Sequence, residues 1–236
     1  MPFDFKNYNT YSIDYTSLFN EINAKQILYN QELQIQYLSQ WLQVLKYHDE
    51  VLIKQFNNQK SIKEYILKTQ NEPETFQLPI NWDSTKIMLH FRVSLANELL
   101  KDFYSQSEEF LLDNFIGEKQ TVYWSEVKDN VDKYFAATAP VIIVPFLAGK
   151  TSLLVIDGNH RITYKKRYNI SKITTLIMAE QSVIETKIFS SSFDEYYYIF
   201  HNEVNRIEHE LKNGTSSEME LINKSFLMGK GYQFCD

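Results

Sequence analysis

The stretch Ser152-Leu153-Leu154-Val155-Ile156-Asp157-Gly158-Asn159-His160-Arg161 decides the fold of this chain. Leu153 to Ile156 is an unbroken apolar run, of a length suited to a buried strand. Asp157-Gly158 is a turn signal. From Arg161 the spacing turns helical, with Ile162, Tyr164 and Tyr168 on one face and Lys165, Lys166 and Arg167 mostly on the other. A strand that breaks at glycine and opens a helix leaves the first helical N–H groups, which have no intrahelical partner, at the break. The macrodipole adds partial positive charge there. A residue with no side chain lets an anion come close to the backbone. His160 and Arg161 add donors, and arginine can hold phosphate through two parallel bonds. The residues themselves therefore point to a phosphate-binding strand–turn–helix built on Gly158, Asn159, His160 and Arg161.

Asp157 ends the strand beside that corner. It is suited to hold Mg2+ or to act as a base in phosphoryl transfer, and with His160 it forms the candidate catalytic pair. The bland alternatives are a turn or helix cap for Asp157, a helix-start donor for His160 and an ion pair with a carboxylate for Arg161. Lys165 and Lys166 read as a solvated helix face first and as ligands second.

Outward from the motif, Pro140-Val141-Ile142-Ile143-Val144-Pro145 reads as a strand before it, and Ile173-Thr174-Thr175-Leu176-Ile177-Met178 as a strand after its helix. This order of strand, loop, strand, motif, helix and strand resembles the core of the ParB/sulfiredoxin superfamily, over the stretch from Ser125 to Ala179. ParB-type proteins carry Gly-Glu-Arg-Arg at the motif and sulfiredoxins Gly-Gly-Cys-His-Arg. Here Asn159 stands in place of the Glu and the Cys, while His160-Arg161 matches the sulfiredoxin pair. Without the thiol, sulfinic-acid reduction is not expected. The resemblance implies an α+β fold whose core holds a small mixed sheet. It further implies a nucleotide triphosphate with Mg2+ as ligand, and an NTP-dependent phosphotransferase or NTPase as function. A DNA-associated, nuclease-type ParB-like protein of plasmid or phage origin is the second reading; no helix-turn-helix is visible after the core to support it. A non-enzymatic interaction module is the third.

Composition sets outer bounds. A chain of 236 residues is long enough to bury a sizeable core. Its net charge of −6 argues against a general nucleic-acid coat, which needs excess Lys and Arg. Locally the balance reverses: from Lys150 to Lys172 the charged residues are Lys150, Arg161, Lys165, Lys166, Arg167 and Lys172 against Asp157 alone. The positive field is thus concentrated around the motif. The single cysteine, Cys235, excludes an intramolecular disulfide and a cysteine-based zinc cluster. No basic stretch followed by an apolar one opens the sequence, and no apolar run is long enough to span a bilayer. The expectation is a cytoplasmic protein with no membrane segment.

The remaining chain reads as largely helical. Residues 1–75 form a helical N-terminal region after an irregular arm, with a cap at Thr16 or Ser17. Ile35, Leu38, Trp41, Leu42, Leu45, Leu52 and Phe56 line one side, and a break is expected near Lys46–Asp49. These helices are the expected scaffold or homodimer surface. Ser61 starts a further short helix through Leu67, stopped at Glu72-Pro73. Residues 76–190 hold the core. They begin with a strand at Phe76–Trp82 and, capped at Asp83 or Ser84, a helix or a mixed segment to Arg92, followed by helices at Ser94–Phe103, Ser107–Phe115 and Glu126–Phe135. A β-rich run closes the core at Ser182–Phe189. Residues 191–236 are a C-terminal helical extension, with a helix from Asp194 to Leu211 stopped by Asn213-Gly214 and a shorter one from Ser216. His201, Asn205 and His209 share one face of the longer helix, with a solvated face more natural there than a metal site.

Overall fold

The architecture is that of a computed structural model describing residues 3–234 apart from 6, 8, 57, 59, 62, 63, 65–73, 129 and 230–232. The expected helix from Ser61 through Leu67 and the stop at Glu72-Pro73 lie wholly or partly outside the described residues, as does Cys235. The fold is mixed α and β. Its contacts divide the chain into two units: Met1–Arg92 with Phe189–Asp236, and Val93–Ile188. Among the described residues no helix is long and apolar enough to cross a membrane.

The first unit opens with two short antiparallel strands, β1 (Phe3–Asp4) and β2 (Asn9–Thr10). Asp14, not Thr16 or Ser17, caps α1 (Tyr15–Asn23), accepting from the amides of both those residues. The following α2 (Gln31–Gln55) runs without interruption. The break expected near Lys46 falls instead before Gln31, because Gln34 stitches that turn together. Its buried side chain accepts from the Ile27 and Leu28 amides and donates to the Asn23 and Lys25 carbonyls. Leu38, Trp41, Leu42, Leu45 and Leu52 of α2 are buried, while Ile35 stays exposed.

A hairpin follows, β3 (Thr75–Asn81) with β4 (Lys86–Arg92), antiparallel with Leu78 opposite Leu89. The segment from Asp83 to Arg92, left open between helix and mixed structure, is thus largely strand. The hairpin belongs with the helical parts of the chain, not with the motif. Phe91 packs on Phe189 and Tyr198, and the His90 amide and ring both bond Asp194. Asp194 lies on α6 (Ser192–Asn213), the long helix that ends at Gly214 in the left-handed conformation.

Packing between α2 and α6 is fixed by a buried carboxylate. Glu203 is fully buried. Its Oε1 accepts from Tyr37 Oη at 2.6 Å, Trp41 Nε1 at 2.8 Å and Ser225 Oγ at 2.6 Å. Its Oε2 accepts from the Phe226 amide at 2.9 Å. Ser225 and Phe226 follow α7 (Glu218–Lys224), which opens with a Ser217/Glu220 capping box. The face of α2 that the sequence offers to a partner is therefore used inside the unit.

The second unit is a five-stranded mixed sheet with short helices. Its strands lie in the order β5 (Glu108–Leu111), β9 (Lys172–Ile177), β7 (Val141–Ala148), β8 (Thr151–Asp157) and β6 (Val122–Tyr123). The pair β7 and β8 is antiparallel, while β6 runs parallel to β8 and β7 parallel to β9. Both central strands are apolar and buried on both faces, as continuous apolar runs require. Val141, Ile143, Val155 and Ile173 form one core cluster with Phe115, Val122 and Ile162. Ile162 comes from α4 (Asn159–Arg167), the helix of the motif. Earlier in the unit, α3 (Val93–Leu100) continues as a 3-10 turn over Lys101–Gln106.

Three expected elements of this unit differ. Ser107–Phe115 supplies β5 and a 3-10 turn, not a helix: β5 pairs with β9, placing Phe110 opposite Ile173. Ser182–Phe189 is not β-rich; α5 (Glu180–Glu185) occupies its start, burying Val183 and packing on β7. Packing overrides the strand preference of its branched residues. Among the described residues of Glu126–Phe135 the expected helix does not form, and Asp132–Tyr134 makes a 3-10 turn.

Burial pushes the Glu203 carboxyl pKa up, against the pull of its four hydrogen bonds. A raised folded-state pKa means that the folded protein keeps the proton longer than the unfolded chain. The associated stability is fully present below the ordinary glutamate pKa of about 4.3 and is lost as pH rises through the folded value. In urea unfolding, Glu203→Ala is expected to cost about 3–4 kcal/mol by stranding its donors. The cost of Glu203→Gln is expected to shrink as pH rises above that ordinary value. A pH-independent Gln penalty contradicts the assignment.

Candidate functional site

The site lies where β8 ends. Register places Asp157 opposite Ile142, so the corner sits beside the start of β7. Gly158 then caps α4 with φ 101° and ψ 12°, in the left-handed region that favours glycine. Space reinforces that choice. A Cβ on Gly158 would stand 2.8 Å from Val141 Cγ2 and 3.0 Å from Arg161 Nη2.

Arg161 lies beneath this glycine. It donates from Nη2 to Asp157 Oδ2 at 2.8 Å and from Nη1 to the Ala139 carbonyl at 2.7 Å. Asp157 Oδ2 also accepts from Asn97 Nδ2 at 3.2 Å, and Asn97 Oδ1 from Tyr104 Oη at 2.9 Å. The two ionic side chains are 12% and 18% exposed, so the pair is only partly solvated. The guanidinium is thus committed within the protein. The two parallel bonds to phosphate expected of Arg161 are not presented in this arrangement, and the ion-pair alternative describes it. Asp157 likewise is held by two donors, as an anchor of the corner.

The segment before the 3-10 turn is tied to α4. The Ser125 amide donates to Asn159 Oδ1 at 2.9 Å, and the Val127 amide to Thr163 Oγ1 at 3.1 Å. Thr163 in turn donates to the Asn159 carbonyl. Asn159 therefore points its oxygen at this strap. Farther along, Tyr134 stacks on His160 with centroids 5.0 Å apart.

No side chain caps the N-terminus of α4. The amides of Asn159, His160 and Arg161 carry the partial positive charge of the helix start, without the capping oxygen that usually occupies such a place. Of the five motif residues, the side chains of Asp157, Asn159 and Arg161 are thus engaged within the unit.

The chain matches no known protein-family profile, no curated protein and no solved structure. Function is accordingly read from geometry.

Several cations of the motif region have partners. Lys166 pairs with Glu126 at 2.6 Å, Arg167 with Asp132 at 3.6 Å and Lys172 with Glu109 at 2.5 Å. Lys165 donates to the Lys172 carbonyl, and burial lowers its pKa against the opposing pull of Glu109. Away from this region, on α6, Asn205 bonds the His201 carbonyl and Asn213 the His209 ring. Among the described residues no group of three His, Cys, Asp or Glu side chains is placed to hold a metal ion.

The sequence offers no signal for Asn97, Tyr104 or the Ala139 carbonyl as members of the corner. Their roles arise from the ends of α3 and β7 meeting β8. Gly158→Ala is expected to destabilise the protein by about 1–3 kcal/mol through backbone strain and the Val141 contact. Asp157→Asn is expected to cost about 1–3 kcal/mol by stranding Arg161. Thermal unfolding checks both; an unchanged Tm for either contradicts the described corner.

Proposed function

We propose that the second unit binds a phosphate-bearing ligand at the start of α4, with a nucleotide as the guest that the ParB/sulfiredoxin resemblance implies. The observation that carries this reading is the uncapped helix start at Gly158. The first-turn amides, at Asn159, His160 and Arg161, lie at the positive end of the helix, and the macrodipole favours an anion there. The Asp157–Arg161 pair serves this reading by holding the turn, since a site of this kind depends on a rigid backbone. His160, braced against Tyr134, is the side-chain donor beside it.

The wider reading adds Mg2+ and a chemical step, making the protein an NTP-dependent phosphotransferase or NTPase with Asp157 and His160 as the reacting pair. Geometry favours the binding half of that reading. The Asp157 carboxylate is already engaged by Arg161 and Asn97. The duplex-DNA reading draws on the cations from Lys150 to Lys172, of which Lys166, Arg167 and Lys172 each sit on a carboxylate.

Asn159→Asp tests the proposal cleanly. Aspartate keeps an oxygen for the Ser125 amide and adds negative charge in the first turn of α4. Calorimetric titration with ATP, CTP, GTP and inorganic phosphate, with and without Mg2+, is expected to show binding to the native protein. The variant is expected to bind about tenfold more weakly, by like-charge repulsion, with Tm held or slightly raised by the helix dipole. Absence of binding to the native protein, or equal binding by the variant, overturns the proposal.

A further inference from the structure

Beyond the corner, α4 carries a row of rings. His160, Tyr164 and Tyr168 recur at every fourth residue, which keeps them on one side over about 12 Å. The segment around the 3-10 turn lays two more rings alongside. Tyr134 stacks on His160, and Phe135 meets Tyr164 edge-on at 6.5 Å. Tyr164 and Tyr168 lie 4.8 Å apart. The sequence assigns Tyr164 and Tyr168 to the apolar face of the helix, yet the residues of α4 that enter the core are Ile162 and Thr163. Phe135 is 79% exposed and Tyr168 52%. Grouped rings left in water mark a binding surface.

The charge on this face selects the guest. The row begins at the positive start of α4. Lys133 lies over the Tyr134 ring at 5.2 Å. Arg167 holds Asp132 at 3.6 Å in a surface pair that the Tyr168 hydroxyl joins, a weak contact that can be exchanged for phosphate. Flat rings for bases, with amides and cations for a backbone, are the two halves of a single-strand platform. Duplex DNA hides its base faces, so it cannot use the rings.

We infer that this face of α4 is a track for single-stranded nucleic acid. Bases stack on Phe135 and Tyr168, and one phosphate sits at the start of α4. The track rests on the phosphate reading given above and extends it from a single nucleotide to a short strand.

Fluorescence anisotropy of the full chain with a labelled oligodeoxythymidylate of about ten nucleotides tests the inference. The single strand is expected to bind more tightly than a duplex of the same length. Phe135→Ala combined with Tyr168→Ala is expected to weaken it about tenfold or more. Phe135→Trp, which keeps a stacking face, is expected to retain binding, as is Tyr47→Ala, which removes an exposed ring in the other unit. Phosphate and ATP titrations are expected to be unchanged in all of these. If phosphate binds but the single strand binds no better than duplex, or the double alanine variant binds equally well, the track falls and the phosphate reading stands. If phosphate, nucleotide and oligonucleotide all fail to bind, both fall.

Discussion

The turn at Gly158 is the constraint on which the second unit depends. The chain must pass from a buried strand into a helix within one residue, at a positive φ and with Val141 against the place a side chain would occupy. An ion pair lies directly under that turn. Arg161 reaches back one helical turn to Asp157 and also holds the carbonyl before β7, tying the end of one strand to the start of its neighbour. Asn159 and Thr163 then fasten the strap that runs across α4. The polar side chains of Asp157, Asn159 and Arg161 thus build the corner itself.

The two units bury carboxylates in different ways. Asp157 keeps a cationic partner and some access to water, a cheaper arrangement than full burial of a lone charge. Glu203 has only neutral donors and no exposure, and burial favours its protonated form. It joins two long helices to the chain end through four hydrogen bonds, and its position on α6 is fixed by Tyr37 and Trp41 of α2. Both groups are tied to the packing around them.

The local pattern from Pro140 to Met178 was legible because its signals are strong and short-range. Apolar runs bounded by turns became β7, β8 and β9, and the charged stretch between became α4. Trp41 as core and Gly214 as a helix stop follow from equally local rules. The failures share a cause. Glu108–Leu111 forms a strand because β9 has an open edge, and the segment before the 3-10 turn is fastened to α4 by bonds from Ser125 and Val127 to Asn159 and Thr163. Both depend on partners tens of residues away, which periodicity does not register. The same holds at the site. Asp157, Gly158 and Arg161 could be picked out as unusual, but their engagement with one another, and with Asn97 and Ala139, required the fold. Ile162 and Tyr168, placed on one face by their spacing, part company in the structure, the first buried and the second exposed.

The central claim is that the amides at the start of α4 receive a phosphate. Titration of the 15N-labelled protein with inorganic phosphate, followed by amide resonances, tests it most directly. The account predicts saturable downfield shifts of the Asn159, His160 and Arg161 amide protons, larger than those at any other helix start. Unmoved resonances at these three residues, or shifts confined to other parts of the chain, would contradict it.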